Sequence, residues 1–245
     1  MKEFWDSTIG KKVAVAVGGS ILVGYLVLHM AGNLWSLAGP GTVEPHIDEY
    51  AHWLRTFGGP LIPYEGVLWV VRAILLAALV VHVVGTVQLK ARNRRARPAE
   101  FPQRKIGRSW ESRLMMVSGV AILAFVIIHI LQFTTLTIDF TPLTEGAIYS
   151  NLYFAFQEWY WVVFYLAAIF LVGSHLRHAV WSVFQTLGLD SPERNEKIRV
   201  GASLLTVVIV VGFASVPVLF FTGALDAPTG NEAISAAAAV GGEGS

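Results

Sequence analysis

The stretch "FYLAAIFLVGSHLRHAVWSVFQTLGL", residues 164–189, decides the fold. Its first ten residues are apolar almost without a break, so no face is set aside for water. A helix that is apolar all round belongs in a large core or in a membrane. Yet the same stretch carries His175, Arg177 and His178, groups that are costly to bury. The rest of the 245-residue chain settles the surroundings. It is 54% hydrophobic and only 14% charged, where a soluble domain carries about 25% charged residues. There is too little polar surface to face water on all sides, so the chain reads as an integral membrane protein.

A membrane crossing needs roughly 20 predominantly apolar residues. Working outward from residues 164–189, five segments qualify: Val13 to Leu37, Val67 to Leu89, Leu114 to Leu136, Leu152 to Leu187 and Ile198 to Phe221. Each is expected to be a helix, because lipid-exposed backbone must satisfy its own hydrogen bonds. The fourth is long enough to project beyond the bilayer. The fold class is therefore all-α, a five-helix transmembrane bundle spanning residues 1–225, with an Ala/Gly-rich external tail at 226–245 expected to be disordered. The polar start "MKEFWDSTIGKK" has no small-residue cleavage site, so the first apolar run reads as a span and not as a signal peptide.

Direction follows from lysine and arginine. Lys2, Lys11 and Lys12 precede the first span, nine basic residues fill 90–113, and Arg194, Lys197 and Arg199 follow the fourth. The alternate connections hold Arg55 alone. Basic residues stay on the cytoplasmic side, which puts the N-terminus in the cytoplasm and the C-terminus outside, as in a multi-pass protein of a bacterial inner membrane. The net charge of +1 gives no reason to expect a nucleic-acid partner. The chain has no cysteine. That excludes disulfides, thiolate metal sites and any iron–sulfur cluster held by this chain alone. Imidazole is then the main transition-metal ligand on offer.

The first four spans each carry histidine: His29, His82, His129 and the pair His175/His178; the fifth carries none. At 1.5 Å of rise per residue, His29 lies about 25 Å past Lys12 and His129 about 24 Å past Arg113. His82 lies about 12 Å before Lys90, and His175 falls near the cytoplasmic end of its span. Two histidines thus share an outer level and two an inner level, each pair on helices running in the same direction. Opposed imidazoles across a bundle are what a six-coordinate haem iron needs, and bundles build cofactor sites from facing helices in this way. Zinc would require three or four ligands converging on one point. The competing reading is a set of structural histidines making interhelical hydrogen bonds. Each ligand histidine should satisfy its other ring N–H, and the nearest acceptors on the same helix are the carbonyls of Tyr25, Ala78, Phe125 and Leu171. Glycines 18, 19, 24 and 32 near His29, Gly85 near His82, and Gly119 and Gly173 give the small residues that helices beside a flat group would use.

"STIGKK" (7–12), "LHMAGNL" (28–34), "SRLMMVSG" (112–119), "HILQF" (129–133) and the opening stretch together resemble one family. It is the five-helix, single-chain dihaem cytochrome b membrane anchor of succinate:menaquinone oxidoreductase and quinol:fumarate reductase. The resemblance covers Ser7 to Ala224. It implies two b haems, an outer one held by His29 and His129 and an inner one by His82 and His175. "HLRHA" is similar to an H-x-x-x-[GA] pattern with His175 as ligand, and Ala179 stands where glycine is frequent. It implies a flavoprotein partner with FAD and an iron–sulfur partner on the cytoplasmic side, and menaquinone as electron acceptor. The complex is also a candidate for higher oligomers. His178 is then a candidate for a propionate, quinone or partner contact. Arg72 and Arg177 are candidates for haem propionates, against plain snorkelling to headgroups. Ser112 and Arg113 match a stretch near the inner haem and a cytoplasmic quinone region. In the outer segment after span one, Glu49 matches an acidic residue that exchanges protons with quinone, against an ordinary solvated loop. Charge crossing the full membrane couples to the potential at about 2.3 kcal/mol per 100 mV, so an outer quinone site would feel that field. Two other readings remain open: a dihaem anchor for another quinone-linked dehydrogenase, and a haem-free transporter using the histidines as a proton relay.

Overall fold

The computed structural model describes residues 2–41, 45–96, 110–138 and 143–228. Every regular element among them is a helix. In chain order they are α1 (Lys2–Asp6), α2 (Thr8–Asn33) continued by a 3-10 turn at Leu34–Ala38, α3 (His46–Thr56), α4 (Gly66–Arg95), α5 (Trp110–Phe133), α6 (Ile148–Gln157), α7 (Trp159–Thr186) and α8 (Pro192–Phe221). Five of these, α2 with its extension, α4, α5, α7 and α8, are long and apolar enough to cross a membrane. Their outer faces carry large exposed apolar side chains, among them Leu76, Val120, Leu204 and Val211. Water would not tolerate such a girdle and lipid does; the chain is a multi-pass membrane protein. The tail from residue 229 and the basic stretch 97–109 lie outside the described residues.

Local chemistry sets the helix starts. The Ser7 hydroxyl accepts from the Gly10 N–H at 2.8 Å and opens α2. Ser191 accepts from the Arg194 N–H at 3.3 Å, with Pro192 in the first turn of α8. Both follow the usual logic of a hydroxyl cap and a proline that lacks only an orphan N–H.

The expected span from Leu152 to Leu187 is not one helix. It breaks at Glu158, whose backbone is extended (φ −86°, ψ 111°). Gln157 and Glu158 are the polar interruption in an otherwise apolar run. The Gln157 amide donates to the Phe220 carbonyl of α8 at 2.9 Å, and the new helix starts with the Trp161 N–H on the Glu158 carbonyl at 3.0 Å. The residues before the break form α6, tucked against α8 with Tyr149, Leu152, Ala155 and Phe156 buried. The segment after α2 differs too: its solvated loop contains α3, pinned by Asp48 Oδ1 accepting from the Tyr149 N–H at 3.0 Å.

In lipid, helix association rests on close packing, and small residues permit it. Ala16, Gly18, Ala78 and Gly85 form a buried seam between α2 and α4. A Cβ on Gly18 would stand 3.0 Å from the Ala78 carbonyl oxygen, and one on Gly85 would run into Val15. Gly173 does the same for α7 against Val210 of α8. α5 packs on α7, and α2 also touches α7 and α8. Among the described residues, neither α2 with α5 nor α4 with α7 is closely packed. Those two separations are where the histidines sit.

Replacing Gly18 by Leu should overpack the α2–α4 seam and cost about 1–3 kcal/mol, read as a lower unfolding midpoint in detergent. Gly201→Leu, where nothing lies within 4 Å of an added Cβ, should leave that midpoint in place. Equal midpoints for the two variants would refute the seam.

Candidate functional site: two histidine pairs

Four helices each supply one imidazole to the bundle interior. His29 of α2 meets His129 of α5 with ring centroids 5.8 Å apart and planes at 74°. His82 of α4 meets His175 of α7 at 6.4 Å and 64°. The two levels can be measured along three helices. On α2, Gly19 lies against the His82 ring and His29 follows ten residues later. On α5, Ser118 meets His175 and His129 is eleven residues on. On α7, Tyr165 meets His129 and His175 is ten residues on. At 1.5 Å per residue each route gives about 15–16 Å between levels.

Two imidazoles on opposite sides of one iron, each nitrogen about 2.0 Å from it, have ring centres roughly 6 Å apart. Both pairs fit that separation. Edge-to-face packing of two rings gives similar distances, and the partners of the ring nitrogens add a second observation. His82 Nδ1 lies 3.2 Å from the Val15 carbonyl oxygen, a pure acceptor, so Nδ1 carries the proton. His175 Nδ1 lies 3.2 Å from Ser118 Oγ, whose own proton goes to the Met115 carbonyl at 3.2 Å. His129 Nδ1 lies 3.2 Å from the Tyr165 hydroxyl, whose proton goes to Gln132 Oε1 at 2.8 Å. At His82 the carbonyl can only accept, so Nδ1–H is the donor; at His175 and His129 the facing hydroxyl also bonds a carbonyl or amide oxygen, an arrangement that leaves its oxygen able to accept from Nδ1–H. A ligand histidine needs that tautomer, with its second nitrogen held by an acceptor. His29 differs: the Asn33 amide nitrogen lies 3.4 Å from both ring nitrogens while donating to the His29 carbonyl at 2.8 Å. The ring stacks on Tyr25 at 5.3 Å and 11°.

The acceptors are therefore not the same-helix carbonyls of Ala78, Phe125 and Leu171 that helical spacing suggests. They come from neighbouring helices, because each imidazole points across the bundle and away from its own backbone. The glycines are also redistributed. Gly18 and Gly19 lie against α4 and His82 rather than His29, and Gly32 faces Tyr50 of α3. A Cβ on Gly19 would stand 3.2 Å from His82 Nδ1, so this position leaves room for the ring.

The other candidate residues are spread more widely. The ring meeting His82 is that of His175, and His178 is half-buried one turn further along α7. Arg177 is exposed, with Nε 3.4 Å from Ser203 Oγ on α8. Arg72 pairs with Glu65 at 3.2 Å and lies over the Trp69 ring at 4.9 Å. Glu65 also pairs with Arg55 at 3.2 Å, so one carboxylate ties α3 to α4. The side chains of Ser112 and Arg113 lie outside the described residues. Glu49 sits on the solvent face of α3, 3.8 Å from His46; the carboxylate facing inward is its neighbour Asp48. Among the described residues no three His, Asp or Glu side chains converge as a multi-ligand metal site requires. The residues that reading the chain missed are Tyr165, Gln132, Ser118 and Asn33. Three of them carried a signal, as polar groups in apolar spans: Asn33 four and Gln132 three residues after a histidine, and Ser118 inside "SRLMMVSG".

The chain was compared with family models, curated proteins and solved structures, and it matches none of them.

Asp48→Ala would leave the Tyr149 N–H without its acceptor, at a cost of about 1–3 kcal/mol. Glu49→Ala, on the exposed face, should stay within about 0.5 kcal/mol of wild type. Unfolding midpoints in detergent compare them, and an Asp48 variant as stable as the Glu49 variant would contradict the buried tie.

Proposed function

We propose that the chain is the membrane anchor and electron-transfer subunit of a succinate:quinone oxidoreductase, binding two b haems between a cytoplasmic iron–sulfur partner and (mena)quinone. The observation that carries this reading is the pairing of four imidazoles, from four helices, at two levels. His29 faces His129 and His82 faces His175, and at His82, His129 and His175 the Nδ1 atom lies 3.2 Å from an oxygen on another helix. When bound, a bis-imidazole haem supplies a one-electron carrier.

The chain's own residues do the rest. His29 and His129 would hold the outer group, His82 and His175 the inner one. Ser118, the Val15 carbonyl and Tyr165 orient the ligands. Gly19 and Gly119 leave the space beside His82 and His175 clear of side chains. The lipid-facing girdle keeps water from both levels. The basic residues at the N-terminus, around the end of α4 and at the start of α8 favour a cytoplasmic N-terminus. In that orientation the His82/His175 level faces the side from which the flavoprotein, with FAD, and the iron–sulfur subunit would dock. The succinate partnership itself is supported by the motif resemblance of "STIGKK", "SRLMMVSG" and residues 164–189.

Haem counting on purified variants tests the ligand set. His82→Ala should lose the inner haem and retain the outer one at least in part. His175→Ala should also lose one haem, whereas His178→Ala should keep both. A colourless wild-type preparation from haem-supplemented cells would end the reading. Subunits copurifying with the wild-type protein identify the dehydrogenase, and a hydrogenase or nitrate reductase in their place would redirect it.

A further inference from the structure

We propose that Tyr165 is a positioning residue that sets the redox poise of the outer histidine pair, with Gln132 fixing the direction of its hydrogen bond. The proposal rests on the reading of the pairs as haem ligands. Tyr165 is 6% exposed, on α7, inside a ring of Phe125, Phe133, Phe156, Trp161 and Phe164 with centroids 5.2–6.3 Å away. A phenylalanine would meet every one of those packing demands. The hydroxyl therefore needs a separate reason, since an unpaired one in such surroundings is costly.

That reason is visible in two contacts: His129 Nδ1 at 3.2 Å and Gln132 Oε1 at 2.8 Å. A phenol has one proton. Left alone beside His129, it could donate to Nδ1, which would move the ring proton to Nε2 and block the ligating nitrogen. Gln132 is 2% exposed, an amide buried in the last turn of α5, three residues from His129. Its carbonyl can only accept. It claims the phenol proton and so turns the phenol oxygen into an acceptor for Nδ1–H. The chain then runs one way, from imidazole to phenol to amide, and successive bonds in such a chain polarise one another. Pulling on Nδ1–H raises electron density at Nε2 and strengthens it as a donor. A stronger donor favours the more positively charged, oxidised state of a bound iron. His82 reaches a backbone carbonyl directly and His175 uses Ser118, so this phenol–amide relay is confined to the outer level.

The test is a redox titration of the purified complex with its haems intact. In Tyr165→Phe the aromatic packing is kept, so two haems and a low-spin spectrum should remain. The outer midpoint should rise by about a tenfold change in the oxidised-to-reduced ratio, ~59 mV for one electron. The inner midpoint, about 15 Å away, should not move. Gln132→Leu should shift the outer midpoint in the same direction by less. If Tyr165→Phe keeps both haems and leaves the outer midpoint where it was, or shifts both midpoints together, the inference is wrong. A wild-type protein without haem would instead defeat the functional reading on which it stands.

Discussion

A histidine inside a membrane has two ring nitrogens to satisfy and no water to help. That constraint organises the interior of this protein. Three of the four facing imidazoles place Nδ1 against an oxygen on another helix, a backbone carbonyl at His82 and, at His175 and His129, a hydroxyl that also bonds a carbonyl or amide oxygen. The bundle is held together, in part, by the same contacts that orient its imidazoles: α2 touches His82 through Val15, α5 touches His175 through Ser118, and α7 touches His129 through Tyr165.

Packing makes room for those rings by being uneven. The seam of Ala16, Gly18, Ala78 and Gly85 draws α2 and α4 together, and Gly173 draws α7 onto α8. Close approach on those faces coexists with separation between α2 and α5 and between α4 and α7, where an imidazole from each side spans the distance. If every helix pair were as close as α2 and α4, the histidines would have no space to face one another. The bundle is tight where glycine meets backbone and wider where histidine meets histidine.

The outer end is built on different physics. Here polar groups are fixed by charge and by single backbone bonds. Glu65, at a left-handed φ of 59°, precedes α4 and pairs with both Arg55 and Arg72. Asp48 holds the first turn of α6. Tyr149, buried against Phe220, donates to the Asp226 carbonyl at 2.9 Å. These ties cap the bundle over the His29/His129 level and explain why the segment after α2 is a packed helix instead of a loose connection.

Much of this was legible from composition and period alone. Five apolar runs of bilayer length can only be helices, and their charge asymmetry favours one orientation, because hydrophobicity and positive charge act residue by residue. The depth of each histidine also follows from counting, since a helix rises by a fixed step. Counting could not reveal which way each ring turns. That depends on Val15, Ser118, Tyr165 and Gln132, residues far away in sequence or unremarkable in isolation, which become acceptors only when helices cross at a particular height. The break at Glu158 was hidden for the same reason: a polar pair in an apolar run ends a helix only if another element takes up the freed groups, and here the Phe220 carbonyl does so for Gln157. Local chemistry fixed what each segment is, and the tertiary structure decided what each side chain has to answer.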